Sequence, residues 1–214
     1  AVPRTMIVNG AGDLAVTGAI ANGAGATATQ NFSSRTTGTT TLSGNNTLTG
    51  ITSVTTGTLV ISSGSINTSS AVTVSGGKLK YDSSTGLTRT VTVTGGATFA
   101  YNSSADYTGT LTLTNGKLGG MNWNGAKLGG LTIGADKTIT PGNSVGTAAT
   151  TTQTWASSGS YDWEINKATG GIAGDVNGGW DLLTLSGAPT LSATNVTPFS
   201  INIISLGLDN LPGL

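Results

Sequence analysis

The 214-residue chain contains no cysteine and no histidine. Without cysteine it has neither a disulfide framework nor a thiolate nucleophile, and without histidine it has no Ser-His pair. Its nine acidic residues are also spread along the sequence rather than clustered at one strand face of the repeats described below. We therefore expect a protein that is not an enzyme and that carries no cofactor.

The chain also has few charged residues, 8% of the total, and nine basic residues balance nine acidic ones. No basic region is present to bind nucleic acid or a membrane surface. No apolar run is long enough to span a membrane, and no signal-peptide pattern opens the sequence. A surface rich in Ser, Thr, Asn and Gly, without cysteine, is typical of an exported bacterial protein, which predicts a secreted or cell-surface location.

What the sequence does contain is a short phrase that repeats. VTVSGGKLKY begins at Val72, VTVTGGATFAY at Val91 and LTLTNGKLGG at Leu111, with a weaker copy, LTIGADKTIT, at Leu131. Glycines 57, 77, 96 and 116 mark the same point in successive copies. Their nearly constant spacing, about 20 residues, indicates stacked structural repeats.

Each copy alternates apolar and polar residues, as in Val72-Thr73-Val74, so its side chains point to opposite faces of a strand. Such a unit buries its apolar face only when copies stack. The pattern predicts an all-β fold, a right-handed parallel β-helix, or solenoid, in which each rung has about 20 residues. An antiparallel β-sandwich is the alternative, but its strands do not require columns that recur at one fixed interval.

Two columns of apolar residues are predicted to fill the interior of this solenoid. One contains Leu59, Leu79 and Phe99, and the other contains Ile61, Tyr81, Tyr101 and Met121. The character of the chain changes near Pro141, after which longer alternating segments begin. We therefore expect rungs over residues 1–150 and, over residues 151–214, a C-terminal β region that caps or continues the solenoid.

Residues 37–62 resemble the passenger-associated strand repeat of autotransporter-like surface proteins. That signature is G-T-x-x-L-x-G-N-N-T-hydrophobic-T-G followed by T-x-V-x-x-G-T-L. The matching positions here are Gly38, Thr39, Leu42, Gly44, Asn45, Asn46, Thr47, Thr49, Gly50, Val54, Gly57, Thr58 and Leu59. The stretches TPGNSVGTA and YDWEIN also resemble segments of that family. The resemblance implies a secreted parallel β-helix that serves as a scaffold or stalk.

Three aromatic residues are candidates for a ligand-binding strip, Tyr81, Tyr101 and Trp123, with Tyr107 beside them. The alternative is that Tyr81 and Tyr101 stack inside the solenoid, because their column is otherwise apolar. The only acidic cluster offers oxygen ligands for calcium. Its members are Asp162, Glu164, Asp175 and Asp181, with Asp162 and Glu164 on one strand face. A solvated strand face next to a turn is the alternative for that cluster.

These features favour a structural protein of the bacterial cell surface or extracellular matrix, which self-assembles head-to-tail into a filament or layer through its solenoid ends. The alternative is an adhesin or carbohydrate-binding passenger domain whose partner is a surface polysaccharide. A third possibility is ice binding by the outward T-x-T pairs, such as Thr92 and Thr94. A thermal-hysteresis assay tests that possibility.

Overall fold

The computed structural model of the chain describes residues 2–24, 28–121, 131–207 and 209–211, and within these residues the protein is all-β. The described residues form 22 strands and no helix. The first twelve strands are β1 (Arg4–Gly10), β2 (Leu14–Val16), β3 (Gln30–Thr36), β4 (Thr39–Leu42), β5 (Thr52–Val54), β6 (Thr58–Ile61), β7 (Val72–Val74), β8 (Lys78–Tyr81), β9 (Val91–Val93), β10 (Thr98–Tyr101), β11 (Leu111–Leu113) and β12 (Gly116–Gly120). The remaining ten are β13 (Thr132–Ile133), β14 (Lys137–Pro141), β15 (Thr147–Thr150), β16 (Thr154–Trp155), β17 (Ser160–Ile165), β18 (Ile172–Ala173), β19 (Gly179–Trp180), β20 (Leu182–Leu185), β21 (Thr190–Leu191) and β22 (Ser200–Ser205).

The first twelve strands alternate between two sheets in which neighbouring strands are parallel. The odd-numbered strands β1 to β11 form the first sheet, and the even-numbered strands β2 to β14 form the second, which continues into β17 and β22. In the first sheet Val54 pairs with Val74, Val74 with Val93 and Val93 with Leu113, so each residue pairs with its equivalent in the next copy. The predicted sequence repeat is therefore the interval between neighbouring parallel strands.

The period-2 alternation of the repeats decides which side chains are buried. Val72 and Val74 are fully buried, whereas Thr73 between them is half-buried on the other face. In the second sheet Leu59 pairs with Leu79 and Leu79 with Phe99, and all three are fully buried. The first predicted core column is thus confirmed in register and in burial.

The second predicted column is wrong at its last member. Ile61, Tyr81 and Tyr101 follow one another in register and are fully buried. The next interval is one residue shorter, however, because Ala100 pairs with Gly119. The column therefore reaches Gly120, and Met121 lies outside the core with 52% of its surface exposed. A shift of one residue moves a side chain to the opposite face of a strand.

Asparagines connect neighbouring passes of the chain at the turns. Asn46 is buried, and its side-chain Nδ2 donates to the carbonyl oxygens of Gly44 at 2.9 Å and Ser65 at 3.0 Å. Its Oδ1 accepts a hydrogen bond of 2.9 Å from the N–H of Ile20. One side chain thus satisfies backbone groups of the preceding and the following pass, which a buried turn requires.

Two glycines of the repeat share a left-handed backbone and differ in their surroundings, which gives a matched test of the stacking. Gly77 has a φ of 69° and Gly96 a φ of 74°. A Cβ at Gly77 would meet the carbonyl oxygen of Gly57 in the neighbouring pass, whereas a Cβ at Gly96 would meet nothing within 4 Å. We expect Gly96→Ala to cost about 1–2 kcal/mol for the backbone conformation alone. We expect Gly77→Ala to cost about 1–3 kcal/mol more, because the neighbouring backbone must move.

Urea denaturation of both variants measures this difference in the free energy of unfolding. Equal losses for Gly77→Ala and Gly96→Ala would contradict the close stacking of Gly77 on Gly57.

After Pro141 the strands remain mostly parallel, but the intervals lengthen. Thr147 pairs with Leu182, Thr154 with Thr190 and Ser160 with Ser200. Each of the strands β15, β16 and β17 therefore pairs with a parallel strand that lies about two repeat lengths later in the sequence. The short strands β18 and β19 lie in the intervening segment, where β19 pairs antiparallel with β17.

Candidate functional site

The predicted aromatic strip does not lie on the surface. Tyr81, Tyr101 and Tyr107 are fully buried, and the ring of Tyr81 stacks on that of Tyr101 with centroids 5.6 Å apart. Burial raises the pKa of Tyr81 to about 12. The hydroxyl of Tyr81 donates to the carbonyl of Thr85 at 2.8 Å, and that of Tyr101 donates to the carbonyl of Ala105 at 2.6 Å. The prediction that Tyr81 and Tyr101 bind a ligand is wrong, because no part of either ring reaches solvent. Trp123 lies outside the described residues.

The four calcium candidates do not converge. Asp162 and Glu164 share one face of β17, as predicted, and both line a cleft there. Asp181 instead accepts backbone N–H groups of Gly146 and Glu164, each at 2.9 Å, and Asp175 accepts the N–H of Asn177 within a turn. Within the described ranges no three acidic, histidine or cysteine side chains are grouped to hold a metal ion. The four side chains are therefore not arranged as the calcium site that was one of the two interpretations of this cluster.

The cleft that Asp162 and Glu164 do line has a volume of about 200 Å³ and lies on the outer face of the second sheet. Its wall is polar and comes from strands that are far apart in sequence. The lining residues are Lys78, Thr98, Lys117, Gly119, Thr140, Gly142, Asn143, Asp162, Glu164 and Ile204. Lys78 and Lys117 belong to one outward column, since both pair with Thr98.

The two acids in this cleft have different surroundings. Asp162 is buried, its Oδ2 lies 2.6 Å from the ammonium of Lys117, and its Oδ1 accepts a hydrogen bond of 2.8 Å from Asn202. Glu164 has a buried Oε2 to which no described group donates a hydrogen bond. Burial raises the pKa of Glu164, and the positive charge of Lys78 opposes that shift.

The side chain of Lys78 is also partly buried, and burial lowers its pKa. The ammonium is 3.5 Å from the carbonyl oxygen of Asn143, which is a long contact for a charged donor. The cleft therefore presents one ion pair, Lys117 with Asp162, and two further charged side chains, Lys78 and Glu164, which form no salt bridge within the described residues.

Asp181 gives a testable dependence of stability on pH. Burial raises its pKa to about 7 from an ordinary value of 3.8, although the two backbone N–H groups lower it. The folded chain therefore holds this proton more tightly than the unfolded chain does. The stability that Asp181 contributes is fully present below about pH 4 and is lost as the pH rises through about 7.

We expect the free energy of unfolding of the wild type to fall between pH 4 and pH 8 relative to that of Asp181→Asn. Guanidinium denaturation at four pH values measures both slopes. Parallel curves for the two proteins would contradict this assignment. We expect Glu164→Gln to reduce the loss of stability with rising pH in the same sense, because burial also raises the pKa of Glu164.

A second feature is the C-terminal edge, which we define as strands β20, β21 and β22. Among the described strands, each pairs on one side only, with β15, β16 and β17 respectively. Ile203 of β22 is 72% exposed and Leu191 of β21 is 69% exposed. Two mostly apolar grooves of about 430 and 410 Å³ lie here, and Trp155 and Ile201 line both. In the first groove the ring of Trp155 stacks on that of Phe199 with centroids 5.0 Å apart.

The opposite end of the sheets, the N-terminal edge, consists of β1 and β2. In the described part of the chain β1 pairs only with β3, and β2 only with β4. Met6, Ile7 and Leu14 on these strands are exposed. Within the part of the chain that the structure describes, both ends of the sheets therefore present unpaired strand edges together with apolar side chains.

Comparison with protein-family models, with curated proteins and with solved structures found no match to this chain. In the described residues no helix has the length and apolar character needed to cross a membrane. Function must therefore be inferred from the cleft and from the two edges themselves.

The two lysines of the cleft were not predicted, although the sequence contains a signal for them. Lys78 and Lys117 both stand in a Gly-Lys-Leu triplet at the same point of the repeat. The alternation that sends Leu79 and Leu118 inward sends the preceding lysines outward on the same face.

Proposed function

We propose that this chain is a non-enzymatic structural protein of the bacterial cell surface or extracellular matrix, and that it assembles end to end. Its fold in this proposal is a right-handed parallel β-helix whose rungs are the sequence repeats. The C-terminal region caps or continues the helix within one chain. The resemblance of residues 37–62 to autotransporter passenger repeats supports a secreted scaffold or stalk of this kind.

The observation that carries the proposal is the pair of open edges. Unpaired N–H and C=O groups at a sheet edge are a template for pairing with another chain. Folded proteins usually protect such edges with charges, proline or a covering element, whereas β22 reads SINIIS and carries no charge. The β1 edge contributes a single charge, Arg4, in seven residues.

The two edges belong to opposite ends of the same stack, so a contact between them is heterologous. A heterologous contact that does not close into a ring produces an open filament. In this arrangement β22 of one copy continues the second sheet into β2 of the next. The exposed apolar side chains at both ends, such as Ile203 and Leu14, then become buried in the contact.

Sedimentation velocity of the purified chain over a hundredfold range of concentration tests the proposal. We expect the mean sedimentation coefficient to rise continuously with concentration, without a plateau at the dimer. A single species of monomer size at all concentrations would overturn it.

The adhesin alternative loses two of the residues that first suggested it, because Tyr81 and Tyr101 are buried. The row of outward threonines that ice binding requires is present, since Thr73 pairs with Thr92 and Thr92 with Thr112 on the outer face of the first sheet. This register is equally suited to an ordinary solvated sheet, in which threonine is common.

A further inference from the structure

We propose that the cleft on the outer face of the second sheet binds one uncharged sugar residue of a polysaccharide. Its distinguishing feature is that two opposite charges in its wall, Lys78 and Glu164, form no salt bridge within the described residues, whereas Lys117 and Asp162 beside them do. This inference goes beyond end-to-end assembly and does not depend on it, because the cleft lies within a single chain.

The carboxylate of Glu164 is the group in the cleft that most needs a ligand. Its Oε2 is buried, and no described group donates a hydrogen bond to it. A buried acceptor without a donor is costly, and nearly all such groups in folded proteins have a partner. The residue forms part of the wall of the cleft, so rotation of its carboxylate toward the cleft would let a ligand there supply the donor.

Lys78 provides the opposite kind of group. An ammonium has three donors, and in the described residues Lys78 donates one hydrogen bond, to the carbonyl oxygen of Asn143 at 3.5 Å. A ligand that serves both residues must accept from Lys78 and donate to Glu164. A hydroxyl group does both.

The charges that line the cleft favour an uncharged ligand. Two lysines and two acids lie in its wall, so their charges cancel. Thr98 and Thr140 add hydroxyls from strands two places apart, about 10 Å at the usual strand spacing. Hydroxyls spread over that distance match a ligand that itself carries several hydroxyls. They match a free amino acid less well, because its two charges are adjacent.

A volume of about 200 Å³ is below the range for drug-sized ligands, so the cleft accommodates one small ring. The cleft lies on an outer sheet face, where the neighbouring residues of a polymer can extend beyond it. A single residue of a neutral polysaccharide meets each of these conditions.

The test is a glycan array probed with the full chain, followed by calorimetric titration with the neutral oligosaccharide that gives the strongest signal. We expect binding by the wild type and at least a tenfold loss of affinity in both Glu164→Gln and Lys78→Met. Lys80→Met is the matched control, because Lys80 lies on the same strand and pairs with Asp82 at 2.9 Å outside the cleft. The affinity of Lys80→Met for the oligosaccharide should equal that of the wild type.

Thermal unfolding of each variant identifies any that fails to fold, and either of the two cleft variants suffices if the other is lost. The proposal is overturned if no neutral glycan binds at millimolar concentration, if binding survives in the cleft variants, or if only charged sugars or free amino acids bind. The titration is run with the chain at a concentration where sedimentation shows monomers. A failure to bind is then independent of a failure to assemble.

Discussion

Tyr101→Ala is expected to lower the free energy of unfolding by about 3–5 kcal/mol, the range for removing a large buried side chain. Tyr101 is fully buried, and its ring stacks on Tyr81 and contacts Tyr107 edge-on, with centroids 5.7 Å apart. The substitution leaves a cavity and removes the hydrogen bond to the carbonyl of Ala105. Urea denaturation, followed by circular dichroism at a concentration where the chain is monomeric, measures the loss.

Tyr101→Phe is the matched control, since it keeps the ring and removes only the hydroxyl. We expect it to cost about 1–2 kcal/mol, because the carbonyl of Ala105 loses its donor and the buried N–H of Leu87 loses its acceptor. A loss below about 1 kcal/mol for Tyr101→Ala would place the tyrosine outside a packed core and would revive a surface role for it.

Ile203→Lys is expected to weaken self-association at least tenfold while leaving the folded monomer intact. Ile203 is largely exposed on β22, so its replacement should change monomer stability by less than about 0.5 kcal/mol. In an end-to-end contact the same position becomes buried, and an unpaired charge there is costly. Sedimentation velocity of the variant and the wild type at equal concentration measures the effect.

Ile51→Lys is the control for this prediction. Ile51 is 43% exposed but lies just before β5, away from both edges, and its N–H is bonded to Asn31. We expect it to associate like the wild type. If the two variants weaken association equally, the contact does not involve the C-terminal edge.

The repeats allowed much of the fold to be predicted, because one stacking rule applies at every copy. The regular interval between copies predicts both the pairing of Leu59 with Leu79 and the burial of both. The prediction failed at Met121. The interval between copies is one residue shorter there, so the side chain of Met121 lies outside the core. The sign of this change was present in the sequence, since the copy VTVTGGATFAY is one residue longer than LTLTNGKLGG.

The candidate site could be predicted only in part. Two-residue spacing was enough to place Asp162 and Glu164 on one face of β17. Lys78 and Lys117, which lie near these acids, come from earlier strands. Their position relative to the acids depends on the pairing of β14 with β17. These two strands pair at a longer interval than that of the repeat. The repeat no longer fixes the register there, so the sequence alone could not bring the lysines to the acids.

The division of the chain at residue 150 remains a prediction. Hydrogen-bonded pairing runs from β14 into β17 across that point, and Ile139 pairs with Tyr161. The later, longer intervals differ from those of the repeats because of inserted segments such as β18 and β19.

The central claim is that rungs stack along one axis and that copies join through their ends. X-ray fibre diffraction from the concentrated, aligned protein tests it most directly. We expect filaments with a reflection at about 4.8 Å along the filament axis, because the strands run across it. Filaments with that reflection perpendicular to the axis, or a solution of dispersed monomers that never aligns, would contradict it.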